Sequence, residues 1–265
     1  MTIKIINTPS DVDSLPTVLW DNVFAKGVLS ASGGTPTSYP VGNATTEDTV
    51  TYWKPLFLPA SMIVDVGVAT EADCFAVVGH DCGSRASTLT LESSVDNVSW
   101  TTRASILPTD DTTIMVLFPL VSARYWRLVV SGSAAPIISV VMLGKRFNFP
   151  AGVKAPYKPV WLSQTYELIV AQTMGGQFLG NKVIKIGGET QINLVAFERS
   201  YAENDLLPFR EHYNLGKAFV FASGPSIFEK DVGYVYRKEG SILSPTFDTN
   251  GSWMSVSMEV YCYGK

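Results

Sequence analysis

The stretch "VSARYWRLVVSG", residues 121–132, sets two arginines around a tyrosine and a tryptophan in an otherwise apolar run. In an extended chain successive side chains point to opposite faces. Regular alternation therefore puts Arg124, Trp126 and Leu128 on one face, and Tyr125, Arg127 and Val129 on the other. Neither face is purely polar. Arginine suits such a strand because its aliphatic stem covers apolar surface while the guanidinium reaches water or a carboxylate across the sheet. Both Arg124 and Arg127 are expected to be structural, with direct ligand contact as the smaller alternative.

The same period of two recurs along the chain. In SVSMEVYCY, residues 255–263, Val256, Met258, Val260 and Cys262 line one side and Ser257, Glu259 and Tyr261 the other. STLTLESS at 87–94 leads into the turn residues Asp96 and Asn97, which predicts a hairpin with Trp100 just beyond it. Helical periodicity is scarce. TYELIVAQTMG at 165–175 suits a helix or a strand, and YAENDLLPFREHYNL allows only a turn of helix before Pro208 interrupts it. The expected fold class is all-β: a jelly-roll sandwich at the N-terminal side, then a smaller, mainly β domain.

A chain of 265 residues is long enough for two modest cores. FNFPAGVKAPYKP, residues 147–159, carries three prolines and one glycine and no sustained alternation, which predicts a stiff connector. Domains are expected at 1–146 and 160–265 on either side of it. Gly187 and Gly188 in KIGGET are expected to turn a hairpin. MGGQFLGNK at 174–182 lacks the spacing of a phosphate-binding loop, so its glycines are assigned to turns or close packing.

Composition removes several function classes. Charged residues make up only 17% of the chain against 46% hydrophobic, which suits a surface that is neutral and polar or covered by neighbouring subunits. A net charge of −4 without a basic run argues against gripping a nucleic-acid backbone. No apolar run approaches bilayer length, and the start lacks a basic region leading into an apolar one, so neither a membrane span nor a signal peptide is expected. Cys74, Cys82 and Cys262 form no paired motif and are expected to be buried free thiols made in a reducing compartment.

TVTYWKPLFLPASMIVDVG, ADCFAVVGHDCG, STLTLESSVDNVSWTT, VSARYWRLVVSG and the closing PIISVVMLGKR stand in the order found in discoidin, or coagulation-factor C-type, domains. Residues 20–146 resemble that family, which implies a galactose-binding-like β-sandwich. Ser94, Asp96 and Trp100 match its S-D-x-x-x-W pattern with slightly lengthened spacing. More narrowly, the combination resembles the N-terminal domain of tailed-bacteriophage structural proteins. The second half, from INLVAFERSYAENDLLPFREHYNLGKAFVF to the C-terminal YRKEGSILSPTFDTNGSWMSVSMEVYCYGK, resembles a small β domain attached to them. This implies a virion component of the tail or baseplate, made in the host cytoplasm, whose partners are copies of itself and other tail proteins. The alternative is a carbohydrate-binding or receptor-recognition module whose partner is a host surface glycan.

Such a module needs polar donors beside an aromatic platform. The candidate ligand-binding residues are Tyr52, Trp53, His80, Asp81, Arg85 and Arg124. The candidates for core or interface burial are Trp20, Phe57, Trp100, Trp126, Trp161, Phe209, Phe219 and Trp253. No cofactor is expected and no metal: Cys74, His80, Asp81 and Cys82 lack zinc-ligand spacing, and Asp48, Asp65, Asp110 and Asp111 complete no calcium loop. Catalysis is not expected either. His80 and His212 lie in no nucleophile context, and Glu198, Glu203, Asp205 and Glu211 read as solvated carboxylates.

Overall fold

The computed structural model describes residues 2–6, 10–34, 36–247, 251 and 253–263, the side chains of 184–186 excepted. The strands of its first half are β1 (Thr2–Ile5), β2 (Thr17–Leu19), β3 (Val28–Ala31), β4 (Ala60–His80), β5 (Thr88–Ser94), β6 (Thr101–Ile106), β7 (Ile114–Ser131), β8 (Ile138–Gly144) and β9 (Phe147–Asn148). Those of the second are β10 (Gln164–Gln172), β11 (Phe178–Phe197), β12 (Phe219–Ala222), β13 (Val232–Arg237), β14 (Thr246–Phe247) and β15 (Met254–Tyr263). Two helices, α1 (Arg199–Asn204) and α2 (Leu206–Asn214), lie between β11 and β12. The chain is all-β in layout, as its alternation predicts.

The first sheet doubles over on itself. β4 and β7 pair along most of their length, with register shifts between Asp65 and Thr70 and between Ala72 and Cys74. On one side of these irregularities β3, β5 and β6 extend the sheet; on the other, β8 pairs with β4 and β1 with β7. One core lies between the two leaves, with Met62, Val64, Trp126 and Leu128 from one and Phe75, Val77, Ile114 and Val141 from the other. Burial is roughly 25 cal/mol per Å² of apolar surface, so a doubled sheet gains on a face that a flat one leaves wet.

The second sheet runs β10-β11-β15-β13-β12-β2-β9, with β14 on β15. The first half of the chain thus contributes β2, paired with β12, and the 147–159 segment contributes β9. Alternation along β12 sends Phe219 and Phe221 to one face and Val220 and Ala222 to the other. Val220, Ala222, Val232 and Tyr234 pack against Cys74, Ala76, Met115 and Met142 of the first sheet. Phe219, Phe221, Ile192, Val256, Met258, Val260 and Cys262 form a core with Phe209 and Tyr213 of α2 and with Phe149. Polar contacts lock the two sheets: Arg146 pairs with Asp13 and Asp73, and Glu47 accepts the N–H of Ala218 while its carbonyl accepts the hydroxyl of Tyr234.

Several local expectations are resolved or corrected. TYELIVAQ, open between helix and strand, is strand, and the 201–215 stretch holds helix on both sides of Asp205. Pro208 does not interrupt α2 because it sits in the first turn, where the missing N–H has no intrahelical partner to lose. Gly187 and Gly188 turn no hairpin; they lie within β11. A Cβ on Gly188 would stand 2.6 Å from the Ser163 carbonyl oxygen, so the glycine serves close backbone approach. The 147–159 stretch is anchored: Phe149 is buried, and Asp231 accepts the Tyr157 hydroxyl at 2.8 Å and the Val160 N–H at 2.7 Å.

Candidate functional site

The doubled sheet has two ends, a fold-over end and a loop end, and β4 links them. At its start Ala60 pairs with Val130; at its finish His80 pairs with Ile138. Both lie at the loop end, because β4 returns in the second leaf. Trp53 bridges Ile138 from the other side, its N–H donating to the Ile138 carbonyl at 2.8 Å and its carbonyl accepting the Ile138 N–H at 3.0 Å.

Trp53, Ile138 and His80 are fully buried. His80 is a turn anchor: its Nδ1 accepts the Cys82 N–H at 3.2 Å, which leaves Nε2–H to donate to the Thr112 carbonyl at 2.8 Å. The next residue turns outward. Asp81 accepts the Ile137 N–H at 2.7 Å through one oxygen and Arg85 Nε at 3.1 Å through the other. Arg85 is largely exposed, its side chain 45% accessible.

Alternation puts Tyr52 and Lys54 on the face opposite Trp53. Tyr52 is half-buried and stacks on Tyr39, with ring centroids 4.7 Å apart and planes 13° from parallel. The loop is pinned by Asn43 Nδ2 donating to the Tyr52 carbonyl and by Asp48, which accepts the N–H groups of Val50 and Thr51. These bonds, that from the Thr51 N–H foremost, hold the Asp48 carboxyl below its ordinary range. The outcome is a fixed aromatic pair in a pinned loop, with Lys54 two residues on from Tyr52. Tyr39 and Lys54 carry no local pattern that singles them out; the Val41–Thr45 turn and the bridge to β8 bring them there.

Arg124 is elsewhere. It stands at the fold-over, where it grips Asp65 through Nε and an Nη, both at 2.8 Å, and lies over the ring of Tyr125. Its guanidinium, with the Gly67 N–H, holds the Asp65 carboxyl below the usual carboxylate range. The expectation that Arg124 shares a face with Trp126 and Leu128 fails: Trp126 and Leu128 are buried and Arg124 is exposed, because the register shift after Asp65 breaks the alternation. Arg127 pairs with Glu92 at 2.5 Å and lies 4.1 Å over the ring of Trp100. Trp100 is thus half-buried beneath an arginine at the β5–β6 hairpin. Asp96 accepts the Ser99 and Val98 N–H groups there, which lowers its pKa to about 2.

Of the aromatic residues considered for burial, Trp126, Phe209 and Phe219 are fully buried, and Trp20 packs against Phe209 and His212. Phe57, Trp161 and Trp253 are exposed. Cys74, Cys82 and Cys262 are buried free thiols, and burial pushes the Cys74 thiol well up. His212 Nε2 donates to the Ala218 carbonyl at 3.0 Å, and burial lowers its pKa. Glu203 is exposed and paired with Arg199. Among the described residues no three His, Cys, Asp or Glu side chains converge as a metal site, and no helix is long and apolar enough to cross a membrane. Two open grooves, of about 400 and 470 Å³, lie on the second sheet and meet at Pro156. The first is walled by Lys238, which pairs with Glu189 at 2.8 Å, and by Gln191.

No family model and no curated protein matches the chain. Among solved structures it is similar to a Ruminococcus gnavus GH29 fucosidase in complex with fucose, at 18% identity and a TM-score of 0.41, over 48% of this chain and 27% of that one. It is similar also to chitosan-binding module 2 in complex with chitotriose, from a chitosanase/glucanase of Paenibacillus sp. IK-5, at 14% identity and TM-score 0.41, over 46% and 99%. A Clostridium perfringens module, CpGH89CBM32-5, in complex with GalNAc-β-1,3-galactose, matches at 13% identity and TM-score 0.40, over 48% and 99%. This chain therefore spans about a quarter of the fucosidase's length and nearly all of each module's.

Proposed function

We propose that the protein is a non-catalytic carbohydrate-binding module that contacts glycan at the loop end of the doubled sheet. The observation that carries this reading is the half-exposed Tyr39–Tyr52 stack on the end that also presents Lys54, Asp81 and Arg85. A sugar ring offers C–H groups to an aromatic platform and hydroxyls to charged and amide groups beside it. Trp53 and His80 support the loops from beneath and do not touch the ligand. Arg124, clamped to Asp65 at the fold-over, plays no part.

A glycan array probed with the purified chain, followed by calorimetry on the hits, tests this. Tyr52→Ala is expected to weaken binding about tenfold or more with an unchanged melting temperature, which corresponds to about 1.4 kcal/mol. Gln191→Ala, in the groove of the second sheet, is expected to change nothing, and bound oligosaccharide is expected back intact. Failure to retain any glycan, or retention that survives Tyr52→Ala, defeats the assignment.

A second reading, a repeated component of a bacteriophage tail or baseplate, draws on the sequence resemblance and on one structural feature. The β10–β11 hairpin exposes apolar side chains on both faces, as a subunit awaiting neighbours would. Reconstruction of an intact particle, with copies of this chain in a closed ring, is the outcome that reading requires. A particle map without the chain removes it.

A further inference from the structure

We infer that the chain self-associates by edge-to-edge pairing of β10 with β10 of a second copy, about a twofold axis, extending the second sheet across two molecules. This stands independently of the glycan site.

β10 is the end of the described second sheet, and its one strand partner there is β11. Its outer row of N–H and C=O groups is therefore a template for another strand. Natural edges are blunted by lysines, prolines, bulges or brevity. β10 shows none of these: it is 9 residues long, QTYELIVAQ, with Glu167 as its one charge. Bulges do occur in the hairpin, but the skipped residues, 184 and Leu179, belong to β11, so β10 itself runs regular.

Both faces of the hairpin are apolar and wet. Tyr166, Leu168, Ile169, Val170, Phe178 and Leu179 are all exposed, and Met174 at the turn is fully so. A two-stranded hairpin alone in water is marginal. Tyr166, Leu168, Ile169 and Val170 belong to β10 itself, so exposed apolar side chains flank the open edge along the middle of the strand.

The occupant is a second copy because β10 complements itself. A twofold centred on Leu168 pairs Leu168 with Leu168, Tyr166 with Val170, and Glu167 with Ile169. The outer pairs, Thr165 with Ala171 and Gln164 with Gln172, are uncharged, so no pair in this ladder sets like charges together. A parallel, in-register pairing would instead stack Glu167 on Glu167, a destabilising like-charge contact. A closed twofold uses the same patch on both subunits and stops at two.

Sedimentation equilibrium on the full chain across the micromolar range tests this. The wild type is expected to pass from monomer to dimer mass, and a Leu168→Lys, Val170→Lys double variant to move that midpoint at least tenfold upward without change in far-ultraviolet circular dichroism. Should that variant fold poorly, hydrogen exchange on the wild type reads the same interface, since β10 amides gain protection as concentration rises. A wild type that stays monomeric, a lysine variant that dimerises like the wild type, or protection that rises away from β10 each overturns the inference. None of these outcomes depends on glycan binding.

Discussion

Two long strand pairs in this molecule met opposite fates. β4, with 21 residues, and β11, with 20, each anchor an antiparallel ladder built from alternating sequence. The β4–β7 pair folds over, closes a core between its leaves and buries much of its outer surface against the second sheet. The β10–β11 hairpin projects with both faces exposed. Their residues are not very different in kind, since Leu, Ile, Val and an aromatic recur in both. What differs is cover. β4 bears an irregularity after Asp65 that lets its own continuation return over it, whereas β10 ends its sheet with no further strand beyond it among the described residues.

The contrast is broken most severely at Trp126. It is fully buried and its indole N–H donates to the Ala123 carbonyl at 3.1 Å. Trp126→Ala is expected to cost about 3–5 kcal/mol by chemical denaturation, whereas Ile169→Ala on the hairpin should stay within about 0.5 kcal/mol for the monomer. Equal losses at the two sites would show that the hairpin is covered in solution at monomer concentrations.

A smaller effect is expected at the base of the projecting hairpin. Gly188→Ala must push its methyl against the Ser163 carbonyl, and overpacking of this kind costs about 1–3 kcal/mol. An unchanged denaturation midpoint would mean that the 160–163 turn moves away freely and does not brace β11.

The subtlest test is the pH profile of the second core. Burial lowers the His212 pKa below its ordinary 6.5, so the unfolded chain binds the proton more readily than the native one. Between the native value and 6.5 the unfolded state carries more protons, so stability rises with pH and is lost as pH falls through that window. His212→Gln should flatten the slope there. A slope that persists in the variant assigns it to another group.

How much of this was legible beforehand differs from residue to residue. In SVSMEVYCY, Val256, Met258, Val260 and Cys262 all enter one core, because a regular ladder preserves the period of two. Around Arg124 the same rule fails, since a bulge elsewhere in the pair changes which face a residue serves, and no spacing within ARYWRL reports it. The turn at Asp96 and Asn97 was readable because side-chain-to-backbone bonds are local. Tyr39 was not, since only the Val41–Thr45 turn stacks it on Tyr52. The candidate ligand set was likewise half legible. The loop end gathers Tyr52, Trp53, His80, Asp81 and Arg85 but buries two of them, and burial depends on what packs above.

The amino-acid order by itself determined an all-β chain, its main hairpin and the core-facing side of its regular strands, because alternation and turn chemistry act over a few residues. Only the tertiary structure decided that the first sheet doubles over, that Thr17–Leu19 joins the second sheet, that Arg124 lies apart from the loop end and that β10 is left uncovered. Those outcomes rest on contacts between residues far apart in the chain, where the gain from covering one apolar face depends on which other face arrives to cover it.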